Sequence, residues 1–417
     1  MKLIFLATIA ALLLQPSGAA HAESSPLDAA RHQFDTYTPE NFDKGGAISH
    51  YQWLNFSAFY PHTTLYRTQA IRPLRLNLKA DVAIFNVHST GEQTTLANYV
   101  EKKPHVDGLL VLHKGEIVFE AYPRMEAHER HLTWSVTKVV VGTALAALQA
   151  TGLADMQAPV EQYLPELANT AWAGTRLQDI ANMASGIDCL DSDGYHNSQA
   201  CIYRYEEALG ITARVNPQIS TTAAIKAMKR RSEPGQQLEY VSANTFVLGR
   251  VIESITDKPL WQALQGLIWD KTGAEADALL TVSSEGQAYA SGGLSMRLRD
   301  LARFGQIFTP NAGLDVVPSS HLEDLRSGDN VPFTSSDLES FDKQLEGDTP
   351  SHAAWQWDMI WADGDMFKQG YSGQGIYVSP SRELVIVHFG THGSDDNEHS
   401  LLEIVRQLST SKLFRLI

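Results

Sequence analysis

Beyond its first fourteen residues this chain has no long apolar run. A membrane-spanning helix needs about 20 such residues, so no later segment reads as a transmembrane helix. Basic residues are scarce too, with 33 Lys and Arg against 48 Asp and Glu and a formal net charge of −15. No Lys/Arg cluster stands out, which argues against nucleic acid as a partner. Cysteine is nearly absent, with two residues, Cys189 and Cys201. There is no Gly-x-Ser-x-Gly elbow, which disfavours a conventional α/β-hydrolase, and no internal repeat or low-complexity tract.

The early apolar run has its own meaning. Lys2 gives a positive start, Leu3 to Leu14 is apolar, and Ala20-His21-Ala22 is a small-residue cleavage site. That is the layout of a secretory signal peptide over residues 1–22. With no cysteine at the junction there is no lipid-attachment site, so a periplasmic or secreted product without a stable membrane anchor is expected. In an oxidising compartment Cys189 and Cys201 are expected to form one short-loop disulfide, two free buried thiols being the alternative. No paired ligand set lies near them, so a metal site is not read there.

After the leader, residues 23–85 read as an irregular N-terminal extension with scattered aromatics (Tyr51, Trp53, Phe56, Phe59, Tyr60) that wraps the body. Gly108–His113 and Ile117–Tyr122, separated by Lys114-Gly115-Glu116, predict a hairpin. Helical spacing follows from Ser135 to about Ala150. Residues 151–289 read as an all-helical unit, with apolar-periodic pieces near 176–184, 222–230, 244–256 and 259–270. A helix from about Leu298 ends at Asn311–Gly313. Ile376–Val378 and Leu384–Phe389 read as paired strands, and a last helix covers roughly Glu398 to Leu408. Strands at both ends with helices between them predict an α/β (α+β) fold. Its antiparallel sheet is flanked by helices, drawn from 86–150 and 290–417, and interrupted by the helical insertion.

Candidate chemistry begins at Ser135-Val-Thr-Lys138. A serine in a helix's first turn meets unpaired N–H groups and the positive end of the helix dipole. A lysine three residues on shares its face and, with a depressed pKa, acts as a neutral base toward the hydroxyl. The Ser-x-x-Lys spacing recurs at Ser340/Lys343, in an acidic loop-like stretch, and at Ser409/Lys412, near the C-terminus of the last helix. Only the first is followed by a long apolar helix. Tyr240, just before an apolar-periodic helix, offers a phenol to shuttle the proton, although a tyrosine read alone is more often core. Lys368-Gln-Gly-Tyr-Ser-Gly-Gln-Gly375 is a Gly-rich lead into a strand. There the amides of Ser135 and Tyr371 can form an oxyanion hole; a plain turn cluster is the bland alternative.

As a set these segments resemble the serine β-lactamase and penicillin-binding protein superfamily, best its class C-like branch of esterases, D-aminopeptidases and amidases, 6-aminohexanoate-dimer hydrolases included. The resemblance is carried by Asp107–Val118, Trp134–Lys138, Asn182–Gly186, Tyr240–Thr245, Gly292–Leu294 with Arg299–Arg303, and Gly370–Gln374. It implies an α/β sandwich plus an all-helical domain with the cleft between them. It also implies Ser135 as the acylated nucleophile, Lys138 and Tyr240 as the acid–base pair, a small-molecule ester or amide substrate, and no cofactor. Substrate contacts fall on Lys368, Gly370, Tyr371 and Ser242.

The departures matter. Ser242 stands where many class C-like members carry Asn, and Lys368-Gln369-Gly370 replaces Lys/His-Thr-Gly. No Glu-x-x-x-Asn segment supplies a class A deacylation base. The pattern leans toward an ester or linear amide. A β-lactamase or D-Ala-D-Ala carboxypeptidase is the alternative enzyme, and a non-turnover binding or sensor module the non-enzymatic one. His388 and His392 have the spacing of a zinc helix but no Glu follows the first, so no metal site is read. Asp395, Asp396 and Glu398 read as a solvated loop and helix start. Trp355, Trp357 and Trp361 either line a pocket for an apolar acyl chain or form one face of a strand.

Overall fold

In the computed structural model, which describes residues 26–89, 91–310, 316–328, 330–393 and 400–415, Lys114 and Gly115 both take positive φ, 53° and 78°. Two such residues make the tight turn whose twist matches paired strands. Val106–His113 therefore folds back on Glu116–Ala121. The expected leader (1–22) and Asp395, Asp396 and Glu398 lie outside the described residues, as do Asn311–Gly313; the helix expected to reach them starts at Leu298 but already ends at Gln306.

That hairpin sits in an eight-stranded sheet. The spatial order is His352–Ala354, Trp357–Ile360, Met366–Gly370, Gln374–Ser379, Leu384–Gly390, Val106–His113, Glu116–Ala121, Arg75–Leu76. Neighbours are antiparallel except the last pair, which is parallel. Leu384–Gly390 against Val106–His113 joins the two ends of the chain, as the separated strands predicted.

Successive strand residues face opposite sides of a sheet. Ile376 and Val385 face the helix Leu298–Gln306, where Gly305 lets the two layers close up: a Cβ there would lie 2.4 Å from Val385. Tyr377 and Ile386 instead join a core with Leu402, Val405 and Leu408 of the helix Leu402–Ser409. Covered on both faces, Leu384–Gly390 is buried at every position and reads as a continuous apolar run rather than an alternating one. Each such side chain contributes about 1.5–3 kcal/mol by burial.

A second sheet of four strands runs His62–Leu65, Ala278–Thr281, Leu294–Met296, His131–Leu132. Between His131–Leu132 and Ala278–Thr281 the described chain holds helices, turns and loops and no strand. The helices Leu177–Ala181, Thr221–Ala227, Ser242–Thr256 and Leu260–Leu264 fall within the predicted pieces or at most two residues outside them. Thr137–Ala150 packs on Ser242–Thr256.

The chain divides into two compact units, residues 1–37 and 38–417. In the first, Pro26–Thr36 is helical, with Thr36 Oγ1 donating to the His32 carbonyl at 2.6 Å. In the second, residues 38–85 are more ordered than their sequence suggests. Gly46–Leu54 is a helix, His62–Leu65 pairs with Ala278–Thr281, and Arg75–Leu76 pairs with Glu116–Ile117. These strands are too short to show a period, and partners some 200 residues away hold the first of them. The stretch around Ser340/Lys343 is the helix Ser335–Leu345, not a loop. It is started by a capping box in which Thr334 and Asp337 satisfy each other's backbone.

Candidate active site

The strand His131–Leu132 delivers the chain into a single 3-10 turn, Trp134–Val136, and then the helix Thr137–Ala150. Two threonines pin this turn to the neighbouring strand. Thr133 Oγ1 donates to the Leu294 carbonyl at 3.0 Å, and the Leu294 amide donates to Thr137 Oγ1 at 3.1 Å. Trp134 takes φ 47°, an uncommon conformation for a bulky side chain. Its ring is held among Phe42, Trp53 and Tyr371, with centroids 5.4–5.5 Å away. Ser135 is thus presented by a turn fixed from both sides.

Lys138 lies one turn on and donates to Ser135 Oγ and to the Ser291 carbonyl, each at 2.8 Å. It is 1% exposed. Burial pulls its pKa down to about 7; the Asp191 carboxylate opposes this and the Lys368 ammonium adds to it. An amine so placed is available in its neutral form near pH 7.

Tyr240 comes from the segment ahead of the helix Ser242–Thr256. Its hydroxyl accepts from Lys368 Nζ at 2.9 Å, and its ring centroid is 5.1 Å from Lys138 Nζ and 4.6 Å from Lys368 Nζ. Lys368, on Met366–Gly370, has no exposed surface. Burial lowers its pKa, opposed by the Asp358 carboxylate with which it pairs. Asp358 also takes the Gln369 amide at 3.0 Å. Ser135, Lys138, Tyr240 and Lys368 are therefore brought together, with the Lys368 ammonium committed to Tyr240 and Asp358.

The other expected contacts divide. Gly370 and Tyr371 line the cleft. A Cβ on Gly370 would sit 2.6 Å from the Thr133 carbonyl and 3.2 Å from Trp134 Cβ, so glycine lets the strand end reach the nucleophile turn. The Tyr371 hydroxyl donates to the Asp43 carbonyl at 3.1 Å. Ser242 also lines the cleft, but its Oγ donates to Asp191 at 2.6 Å. Cys189 and Cys201 are joined in a disulfide. His388 pairs through Nδ1 with the Gly373 carbonyl at 2.7 Å, and His392 pairs with Ser372, so both rings serve the loop after Gly370. None of the three tryptophans lines the cleft. Trp355 meets His321, Trp357 meets Phe308 and Trp361 meets Tyr377, all as core; Met359 of the same strand faces the cleft instead.

The cleft has a volume of about 410 Å³. Sequence reasoning missed much of its wall: Phe42, Asp43, Asp191, Tyr195, Glu206 and Tyr289. Glu206 accepts from Tyr289 Oη at 2.7 Å; burial pushes its pKa up to about 8, the hydrogen bond opposing and Asp191 and Asp43 adding. Among these residues Asp191 and Tyr195 had a visible signal, because they lie inside the polar loop closed by the two cysteines. The rest come from segments whose meeting is purely tertiary.

The family model for Beta-lactamase matches residues 96–407. The chain belongs to the beta-lactamase family. It is a serine hydrolase of the β-lactamase fold. It is 29% identical over 298 residues to the 6-aminohexanoate-dimer hydrolase of Paenarthrobacter ureafaciens, covering 70% of this chain and 74% of that protein. A solved structure from Bacillus anthracis, provisionally assigned as a 6-aminohexanoate-dimer hydrolase, shares the fold with TM-score 0.74 at 24% identity, covering 90% of this chain and 96% of that one. A D-stereospecific amidohydrolase from Streptomyces aligns with TM-score 0.52 at 17% identity over 70% of this chain and 91% of that one.

Proposed function

We propose that this family member cleaves an ester or a linear amide through an acyl-enzyme on Ser135, with Lys138 and Tyr240 moving the protons. The observation that carries this reading is the 2.8 Å hydrogen bond between Ser135 Oγ and a buried, pKa-lowered Lys138. Neutral Lys138 accepts the serine proton as Oγ attacks the substrate carbonyl carbon. The amides of Ser135 and Tyr371 receive the developing oxyanion. Tyr240 donates a proton to the departing amine or alkoxide and is re-supplied from Lys138. Water then attacks the acyl-enzyme, and the same groups run in reverse to release the acid and restore Ser135. The Lys368 ammonium against the Tyr240 oxygen stabilises charge on the phenol as the proton leaves.

Charge in the cleft favours this substrate class over a β-lactam. Three aspartates line it (Asp43, Asp191 and Asp358), while Glu206, with its pKa raised to about 8, is largely protonated at pH 7 and Lys138 works as the neutral amine. An anionic β-lactam carboxylate meets repulsion there, and Lys368 is already paired. A linear amide with an ammonium at its acyl end suits an acidic wall; in a 6-aminohexanoate dimer the carboxylate lies five methylenes from the scissile nitrogen, whereas a β-lactam holds its carboxylate beside it. On this reading the sheet segments 86–150 and 290–417 and the helical segment 151–289 form the two walls. Export to the periplasm or beyond is part of the same proposal, supported by the residue 1–22 pattern and by a disulfide, a bond of oxidising compartments.

Steady-state rates of the mature protein and Ser135→Ala on p-nitrophenyl butyrate, 6-aminohexanoate dimer and nitrocefin test this. Turnover of the ester or the linear amide that vanishes in the variant is expected. Nitrocefin as the fastest substrate would favour the β-lactamase reading, and no turnover with any of them the non-catalytic one.

A further inference from the structure

The disulfide between Cys189 and Cys201 closes a loop with a sequence separation of 12, and one residue of that loop reaches the catalytic segment on three sides. The Asp191 amide donates to the Tyr240 carbonyl at 3.1 Å. In return the Asp191 carboxylate accepts from the Ser242 amide at 2.8 Å through Oδ1 and from Ser242 Oγ at 2.6 Å through Oδ2. The backbone from Tyr240 to Ser242 is therefore clamped to a single residue. Ser242 opens the helix Ser242–Thr256, so the carboxylate also sits where that helix's unpaired N–H groups and positive dipole end lie. Tyr195, from the same closed loop, donates its hydroxyl to Asp191 Oδ2 and completes the clamp.

We infer that Asp191 is a positioning residue: it fixes Tyr240 against Lys368 and Lys138, and the disulfide holds Asp191 in place. This rests on the acyl-enzyme reading above and adds a residue that the family resemblance did not supply. The alternative is a helix cap with no bearing on the chemistry. Two observations favour positioning. The clamp grips Tyr240 itself as well as the helix start. Asp191 also lines the same cleft as Ser135, Lys138 and Tyr240, and its charge acts on both lysines, favouring their ammonium forms.

The charged and titratable groups facing Asp191 are Lys138 and Lys368 from the catalytic elements, Glu206 and Tyr205 from the helix Cys201–Leu209, Tyr195 from its own loop, and Tyr289. Glu206 pulls Lys138 the same way as Asp191 does, and Lys368 pulls it the opposite way. Removing the Asp191 charge leaves Lys138 easier to deprotonate, so the acid limb of the rate profile moves to lower pH.

The experiment compares kcat, KM and the pH dependence of kcat/KM on p-nitrophenyl butyrate for wild type, Asp191→Asn, Asp191→Ala, Ser242→Ala and Ser135→Ala, with folding checked by circular dichroism. Asp191→Ala is expected to lose about 100-fold in kcat, the scale of a small misplacement of a catalytic group. Asp191→Asn keeps one acceptor oxygen, turns the other into a donor and removes the charge, and its acid limb is expected at lower pH than wild type. Ser242→Ala removes one clamp bond and leaves the charge, so it should lose about tenfold in kcat with the limb unmoved. If the Asp191 variants do not fold, Ser242→Ala decides alone, and wild-type kcat there overturns the inference. Folded Asp191 variants with wild-type kcat and an unmoved limb overturn it as well. Persistence of activity in Ser135→Ala would instead overturn the acyl-enzyme reading, so the two failures are distinguishable.

Discussion

Lys138 is 1% exposed, and the two acceptors it holds, Ser135 Oγ and the Ser291 carbonyl, are both protein atoms. Its charge is therefore supported by few groups, and its proton leaves near pH 7. Because the neutral amine is the active form, kcat/KM should fall as pH drops through about 7, measurable on a neutral ester whose own ionisation does not intrude. Lys138→Ala should lower kcat by roughly 10²–10⁴-fold, the usual weight of a general base, while the protein stays folded and binds substrate. The Ser135–Lys138 relation was legible because it is local: two residues three apart share a helix face whatever else the chain does. Tyr240 was legible only through the set of motifs, since nothing in its neighbourhood says that Lys368, 128 positions on, will meet its hydroxyl. Asp43 and Glu206 carried no such cue.

At the scale of elements, the end of Met366–Gly370 meets the Trp134–Val136 turn with only a hydrogen atom's space at Gly370. Gly370→Ala should push the two apart, costing about 1–3 kcal/mol by overpacking and lowering kcat more than it raises KM; denaturant unfolding and steady-state kinetics read the two effects. His388, on Leu384–Gly390, is buried and neutral, its pKa lowered by burial from 6.5 to about 4 while the hydrogen bond to Gly373 opposes. Below pH 6.5 the unfolded chain binds a proton that the folded ring refuses until about pH 4. Stability is thus complete above 6.5 and is lost as pH falls to 4, by on the order of 3 kcal/mol. His388→Asn should flatten the unfolding free energy over that window. Periodicity found the long elements, such as Leu384–Gly390 and Ser242–Thr256, because each buries enough side chains to show a pattern. It missed His62–Leu65 and Arg75–Leu76, which are ordered by their partners, and it misread Ser335–Leu345, whose residues are mostly exposed.

For the whole molecule, the cleft is walled by segments from every part of the body: Phe42 and Asp43 near its start, the Ser135 turn, the disulfide-closed loop, Tyr240, and the strands around Asp358 and Gly370. The fold class was legible because strands at both ends with helices between them leave few ways to cover a sheet. The contribution of residues 38–60 to the cleft was not, since the Trp134, Trp53 and Phe42 rings show their partnership only after folding. The closed loop also makes a stability prediction. Replacing Cys201 by Ser should cost about 3 kcal/mol, the scale for a loop of this size, read as a lowered urea midpoint that a reductant reproduces in wild type. The central claim is that catalysis passes through an acyl group on Ser135. The most direct measurement is an acid-quenched reaction with p-nitrophenyl butyrate, followed by peptide mapping by mass spectrometry. A butyryl adduct on the peptide bearing Ser135, appearing with the burst of nitrophenol and disappearing with turnover, is the predicted result. Turnover with no adduct, or an adduct on another residue, would contradict it.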